Sequence, residues 1–395
     1  MTQEPKIFPY IARLLQGAEV VWKPLGEVAE LKRGTTITKK TSNEGIYPVI
    51  SGGQQPAYYI DQFNRDGETI TVAGSGAYAG FVMYWNEPIF VGDAFSVKAD
   101  EKQVLPRFIY HFLLSIQEKI HDLKSGGGVP HVYAKDVARF VIPLPPLSVQ
   151  QEIVRILDKF TQLEAELEAE LEARKRQYEY YRNKLLNFSE IGGGTKVEWK
   201  TLGEVGEVTK LAGFEFTNYV KYNDIGKIIA LRGLNVKGSL DLSDVKYIDE
   251  SDFSKLNRSK LYINDMLFTY VGTVGSVALI PENDKYYLAP NVARIRFLDR
   301  KINPRFMFHY FQSDEFEKKQ INRYLGSSSM KNLTMENIRK FQIPLPPLEE
   351  QQRIATILDK FDTLVNSISE GLPKEIALRR KQYEYYRERL LSFPS

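Results

Sequence analysis

Apolar positions along this chain fall into two regimes, and each regime occurs twice. From Val149 to Phe188 they recur in three- and four-residue steps, at Ile153, Leu157, Phe160, Leu163, Leu167, Leu171, Tyr178, Tyr181, Leu185 and Phe188. That spacing predicts one long helix, roughly 60 Å at 1.5 Å per residue. A second stripe runs through Ile354, Leu358, Phe361, Leu364, Ile368, Leu372, Ile376, Tyr383, Tyr386, Leu390 and Phe393. Ahead of the first stripe the pattern changes to short β-branched or aromatic runs bounded by Gly, Asn and Asp. Tyr47–Ile50, Thr69–Val72, Phe81–Tyr84 and Phe95–Val97 read as strands. Pro106–Ile116 reads as an amphipathic helix with Pro in its first turn, matched by Pro304–Phe311. Residues 7–20 predict a short helix ending near Gly17.

The two regimes recur because the chain is a direct repeat. Ile142–Phe160 returns as Ile343–Phe361, 343 − 142 = 201 residues later. Gln177-Tyr-Glu-Tyr-Tyr-Arg182 returns at Gln382–Arg387, and Val21–Val28 is echoed by Glu198–Val205. Pro145-Pro146 precedes the first long helix, where Ser148 and Gln151 have capping-box spacing. A long helix with one narrow apolar seam needs a partner helix, and the chain supplies one. The expected fold is mixed α/β: two strand-rich globules separated by a pair of long antiparallel coiled-coil helices, in a pseudo-twofold cyclic arrangement with the termini close. The expected parts are an N-terminal segment 1–20 near the C-terminus, a globule 21–145, a central helix 146–189, a second globule 190–346 and a C-terminal helix 347–395. Between the shared Phe and Gln the second helix is longer by (382 − 361) − (177 − 160) = 4 residues. The insertion region includes Gly371-Leu-Pro373, so the helix is kinked at Pro373, or is two helices separated at Gly371.

Composition narrows the chemistry. The chain is 43% hydrophobic and 26% charged, with a net charge of +3 and no cysteine. This is an ordinary globular composition, without disulfides, thiolate metal sites or a Cys nucleophile. The N-terminal residues have no signal-peptide pattern and no apolar run is long enough to span a bilayer, so a cytoplasmic protein is expected. His111, His121, His131 and His309 form no metal-binding pair, and His111 and His309 sit at matched places, as structural residues would. Gly74–Gly80 lacks dinucleotide-fingerprint spacing. Asn303-Pro304 with Phe306 only loosely resembles a methyltransferase motif. Asp241-x-x-Asp244-x-Lys246 reads as a solvated turn rather than a nuclease site. No catalytic residue and no metal site are expected.

Nucleic-acid binding has diffuse support that recurs at matched positions. The Lys32–Lys40 stretch, with Arg33, Thr35, Thr36 and Lys39, combines phosphate-seeking cations with hydroxyl donors. Ser51, Gly52, Gln54 and Gln55 form a loop whose amides can read adenine edges. Ser75 and Tyr78 lie in the glycine-rich Gly74–Gly80 stretch, and Lys124 and His131 bound another such loop. In the second repeat the corresponding candidates are Arg232, Asn235, Lys237, Thr273, Ser327, Ser328, Lys331 and Asn332. The clusters Arg174–Arg176 and Arg379–Lys381 read as solvated faces or partner contacts.

These motifs give the chain a resemblance over nearly its whole length. Trp22–Glu27, Ile142–Leu147 with Gln150–Ile153 and Ile156–Phe160, Gln177–Arg182 and their second copies, including Asn366–Pro373, resemble the DNA-specificity (S) subunit of type I restriction-modification systems. The tandem tetrapeptide at Leu163–Glu170 is similar to that of the IC group. The resemblance implies two target recognition domains that each read half of a bipartite double-stranded DNA target, with helices that set the spacing. It implies docking of two modification (methyltransferase) subunits on those helices, for which Phe160, Tyr178, Tyr181, Phe361, Tyr383 and Tyr386 are the candidate contacts. S-adenosylmethionine would then belong to the modification subunits, and ATP and Mg to restriction/translocase subunits. This chain would bind no cofactor and catalyse nothing itself. The rival readings are a scaffold protein that does not bind DNA and a self-sufficient methyltransferase or nuclease.

Overall fold

The computed structural model describes residues 8–188, 197–211, 218–325, 332–367 and 369–393. The chain forms two compact units, Met1–Ala169 with Glu375–Ser395, and Glu170–Lys374. The strands of the first unit are β1 (Val21–Pro24), β2 (Ala29–Arg33), β3 (Glu44–Ile50), β4 (Tyr59–Ile60), β5 (Thr69–Ala73), β6 (Val82–Trp85), β7 (Phe90–Val91), β8 (Ala94–Ala99) and β9 (Val141–Leu144). Those of the second are β10 (Glu198–Thr201), β11 (Gly206–Lys210), β12 (Ile229–Leu231), β13 (Lys246–Tyr247), β14 (Met266–Thr269), β15 (Val277–Leu279), β16 (Tyr286–Leu288), β17 (Val292–Phe297) and β18 (Gln342–Leu345).

Among the described residues the two sets are wired identically. A four-stranded antiparallel sheet has the order β2-β8-β5-β6 in one unit and β11-β17-β14-β15 in the other. A smaller mixed sheet, β4-β3-β7 or β13-β12-β16, holds one parallel pair in each case. A two-stranded ribbon pairs Trp22 with Pro143 and Trp199 with Pro344. Proline lacks an N–H, so a ribbon with two free edges is where a strand tolerates it. The larger sheets bury Ile70, Val72, Phe95 and Val97, or Met266, Phe268, Ala293 and Ile295, against the helices Pro106–Ser115 and Pro304–Tyr310.

The first long helix runs unbroken from Leu147 to Leu186. Ser148 therefore lies inside the first turn, and the capping box expected with Gln151 does not form. The neighbouring Gln150 ties down the entry instead. It is fully buried, accepts from the Leu105 backbone N–H at 3.0 Å, and donates to the Gln103 and Pro145 carbonyls at 3.0 and 2.9 Å. Gln351 repeats the arrangement with Asn303, Lys301 and Pro346. One amide thus satisfies three backbone groups that burial would otherwise leave unpaired.

The second helical stretch is two helices, Leu348–Asn366 and Leu372–Leu390. The break precedes Pro373, which occupies the start of the new helix, where its missing N–H costs nothing. Gly371 passes so close to the previous helix that a Cβ would lie 2.3 Å from the Thr363 carbonyl oxygen.

In the first unit the C-terminal helix packs antiparallel to the first half of the long helix. Phe160 stacks on Tyr386 with ring centroids 5.4 Å apart, while Glu164 and Glu168 both bind Arg380. Ascending one helix descends the other. The N-terminal helix Pro9–Leu15 shares this core, since Ile11 and Leu15 cluster with Leu390, Leu391 and Phe393. The two ends of the described chain therefore meet in one core, as the cyclic arrangement requires.

Three repeated segments, the Pro106 and Pro304 helices, the Ile-Leu-Asp-Lys-Phe motifs and the Gln-Tyr-Glu-Tyr-Tyr-Arg motifs, converge on one polar bridge per unit, built around a buried histidine. In the first, Asp158 accepts from Arg107 Nε at 3.0 Å and from His111 Nε2 at 2.7 Å. The carboxylate makes Nε2 the protonated nitrogen, so Nδ1 is an acceptor and takes the Tyr383 hydroxyl at 2.8 Å. In the second, Asp359 holds Arg305 and His309, and Tyr178 donates to His309 Nδ1 at 3.2 Å. Each tyrosine comes from the other repeat's Gln-Tyr-Glu-Tyr-Tyr-Arg motif. His111 and His309 are thus structural, as their matched positions suggested.

Burial pushes both imidazoles below the ordinary histidine value, outweighing the opposing pull of the carboxylates. A histidine kept neutral in the fold but free to protonate when unfolded makes the unfolded state bind more protons below about pH 6.5. Stability rises with pH there, so it is lost as pH falls from about 6.5 toward the lowered folded values. Thermal melts at pH 7 and pH 5.5 should show Tm falling with pH. A double variant, His111→Gln with His309→Gln, should show a shallower dependence; an unchanged slope would assign the effect elsewhere.

Candidate nucleic-acid interface

Strand polarity brings several of the polar loops to one end of each larger sheet. In the first unit β2 ends at Arg33, β3 leads into the Ser51–Gln55 loop, β5 into Ser75–Tyr78, and Asp93 immediately precedes β8. Ser75 and Ser125 each bridge to His131. The Gly76 N–H donates to the Pro130 carbonyl at 3.0 Å, and Lys124 Nζ to the Ala77 carbonyl at 3.2 Å. Gly52 lies so close that a Cβ would sit 2.4 Å from the Ser75 carbonyl oxygen, so this loop requires glycine. The Ser75 hydroxyl donates to the Asp93 carboxylate. Arg33, Gly74, Asp93, His131 and Tyr133 line a small cavity of about 50 Å³, and the His131 and Tyr133 rings stack.

Arg33, Ser51, Gly52, Ser75, Tyr78, Lys124 and His131 are thus parts of one patch, with Gln54 and Gln55 exposed on its loop. Thr35 is pinned by its N–H to the Val91 carbonyl at 2.9 Å. Thr36 and Lys39 are exposed in the loop between β2 and β3, anchored where Ile37 packs on the smaller sheet.

In the second unit Arg232 and Thr273 line a cavity of about 510 Å³ with Tyr222, Leu234, Val271, Pro290 and Asn291. Lys237 and Thr273 line an adjoining one of about 470 Å³. Asn332 bridges to Val271, the counterpart of the Ser75–His131 bridge. Ser327, Ser328 and Lys331, like the Gly192–Gly194 linker, lie outside the described residues.

Asn235 is a correction. It is fully buried, and its side chain caps the backbone of its own loop, donating to the Asp241 and Asp244 carbonyls at 2.9 and 2.8 Å and accepting from the Arg232 N–H at 3.0 Å. It shapes the loop and has no edge left to read a base. Arg232 is paired with Asp244 at 3.0 Å and Lys237 with Asp241 at 2.6 Å. Hydrogen bonds from Lys237 and then Ser243 hold the Asp241 carboxyl well below the ordinary range. With Lys246 bound to Asp224, the Asp241–Lys246 stretch is a turn held by ion pairs.

Two of the aromatic contacts expected on the helices, Tyr178 and Tyr383, need correction. Tyr178 and Tyr383 are buried in the polar bridges, and Phe160 stacks on Tyr386 as Tyr181 does on Phe361. These side chains hold the chain to itself. Tyr180 and Tyr385 are turned furthest outward, 59% and 48% exposed, with Lys184 and Arg389 over their rings, while Tyr181 and Tyr386 stack on phenylalanine and keep an exposed edge. Their motif is visible in the sequence, but its facing is not.

Sequence reasoning also missed Asp93 and Asn291, which stand at equivalent places before β8 and β17, and Tyr133, Tyr222 and Leu234. Position relative to a strand end was the available signal, with Asn291 in the left-handed region at φ 69°.

One scaffold used twice, with different side chains on equivalent loops, defines a two-domain recognition protein. Residues 18–173 and 195–378 match the type I restriction modification DNA specificity domain. The chain is 32% identical to the specificity subunit of the type I restriction enzyme EcoR124I/EcoR124II of Escherichia coli, over 98% of this chain and 97% of that one. It is 31% identical to a putative type I restriction enzyme specificity subunit of Haemophilus influenzae, over 97% and 98%. Its fold matches the S subunit of a type I restriction-modification system from M. genitalium with a TM-score of 0.62 at 17% identity, covering 95% of this chain and 97% of that one. The chain belongs to the family of type I restriction-modification DNA-specificity subunits. Among the described residues no helix is long and apolar enough to cross a membrane.

Proposed function

We propose that this chain selects the site at which a type I restriction-modification complex acts, each recognition domain reading one half of a bipartite duplex target. The observation that carries this reading is the contrast between frame and loops. Strand order coincides between the units and the Ser75–His131 bridge matches Val271–Asn332, yet Ser51, Ser75, Asp93 and His131 in one stand where Arg232, Val271, Asn291 and Asn332 stand in the other. The helix Leu147–Leu186 is unbroken, and its length is what we assign to setting the half-site spacing. Its outward face, with Tyr180 and Tyr385 on matched motifs, offers contacts for two modification subunits.

The chain itself contributes recognition rather than bond-making. S-adenosylmethionine is assigned to the modification subunits, ATP and Mg to restriction subunits, and the assembly to the cytoplasm. The test is genome-wide adenine-methylation mapping in cells expressing this chain with its modification partner. A bipartite asymmetric motif is expected, and methylation that ignores this chain's presence overturns the reading. In vitro, the assembled complex should bind its target with log K falling steeply as log salt rises, since the basic loops displace counterions from phosphates. A scaffold role predicts a flat salt response. Methyl transfer by the purified chain alone would favour an enzyme instead.

A further inference from the structure

We infer that the second recognition domain reads a thymine through its C5-methyl group, with Leu234 as the residue that touches it. This rests on the proposal that the domain reads duplex DNA. The cavity at the ends of β12, β14 and β16 is lined mainly by apolar groups, Leu234, Val271 and Pro290 with the Tyr222 ring, and Leu234 is 44% exposed. Its cation, Arg232, pairs through one terminal nitrogen with the exposed Asp244 carboxylate.

The major groove offers one apolar group, the thymine methyl, and places the O4 acceptor beside it. Thr273 and Asn291 line the same cavity and supply donors suited to that oxygen. Both walls are fixed before any ligand arrives. Asn235 locks the Arg232–Asn235 turn from beneath, and the Thr269 hydroxyl donates to the Thr273 carbonyl at 2.5 Å and accepts from the Ser276 N–H at 2.9 Å. The equivalent end of the first unit presents Ser51, Ser75 and Asp93, so the apolar reading is confined to the second half-site.

The test uses the assembled complex of this chain with its modification subunits and the target found by methylation mapping. Each thymine of the target is replaced singly by deoxyuridine, which removes only the methyl. One position, confined to one half-site, should weaken binding about fourfold, the value of one buried methyl-sized group. Leu234→Ala should weaken binding to the thymine duplex and abolish the thymine–deoxyuridine difference at that position. The inference is overturned if no position responds, if Leu234→Ala leaves the difference intact, or if the variant loses affinity for all duplexes alike, as a wedge between base steps would. A complex with no sequence preference at all would overturn the proposed function and this inference with it. A complex that remains specific while ignoring deoxyuridine would overturn the inference alone.

Discussion

Deleting Leu163–Glu166 should shorten the spacer between the two half-sites by one or two base pairs and leave both half-sites unchanged. Four residues remove about 6 Å of helix, against about 3.4 Å per base pair, and turn the remainder of the helix by about 400°, only about 40° past a full circle. The seam therefore keeps its facing. The local contacts survive as well. Arg380 binds Glu164 and Glu168, which occupy the same place in successive tetrapeptides, and after the deletion Glu168 and Glu172 arrive there. The second helical stretch is already two helices, Leu348–Asn366 and Leu372–Leu390. Methylation of the original target should fall on the order of a thousandfold, the scale separating specific from non-specific binding, while a target with the shorter spacer gains it. Methylation mapping of the deletion variant decides the matter, and an unchanged spacer defeats the idea of helix length as a ruler.

The tetrapeptide is legible in the sequence because helix periodicity is a local property of the chain. So are the repeat, the helices and the strands Thr69–Ala73 and Ala94–Ala99, whose residues alternate or cluster in ways that short-range geometry dictates. The break at Gly371 is ambiguous in sequence because proline marks both kinks and helix starts. A close approach of Gly371 to the Thr363 carbonyl, which is a tertiary fact, selects the second. Asn235 misleads for a related reason. In sequence, a polar residue in a loop looks like a reader, and only the fold shows its amide turned inward to the Asp241 and Asp244 carbonyls. Tyr178 and Tyr383 had the right importance and the wrong role. A helical wheel shows that they share a face with the seam, but not that a histidine from a distant helix waits there.

That histidine is where the largest loss of stability is expected. His111→Ala should destabilise the first unit by about 3 kcal/mol, since it removes a fully buried ring and strands two partners at once. The Tyr383 hydroxyl would lose its acceptor, in surroundings whose burial already pushes its pKa up to about 12. Asp158 would keep Arg107 alone. For a unit of this size each kcal/mol shifts Tm by about 2–4 °C, so the transition should move down by about 6–12 °C. The comparison with Tyr383→Phe separates the polar bridge from simple packing, because that change removes one oxygen and no ring. If the bridge is real, the double variant His111→Ala/Tyr383→Phe should be less destabilised than the sum of the single ones, with a coupling of about 1 kcal/mol. Additive effects would mean that the ring matters only for the volume it fills. The matched pair His309→Ala and Tyr178→Phe should behave alike in the second unit, because the same motifs build the same bridge there.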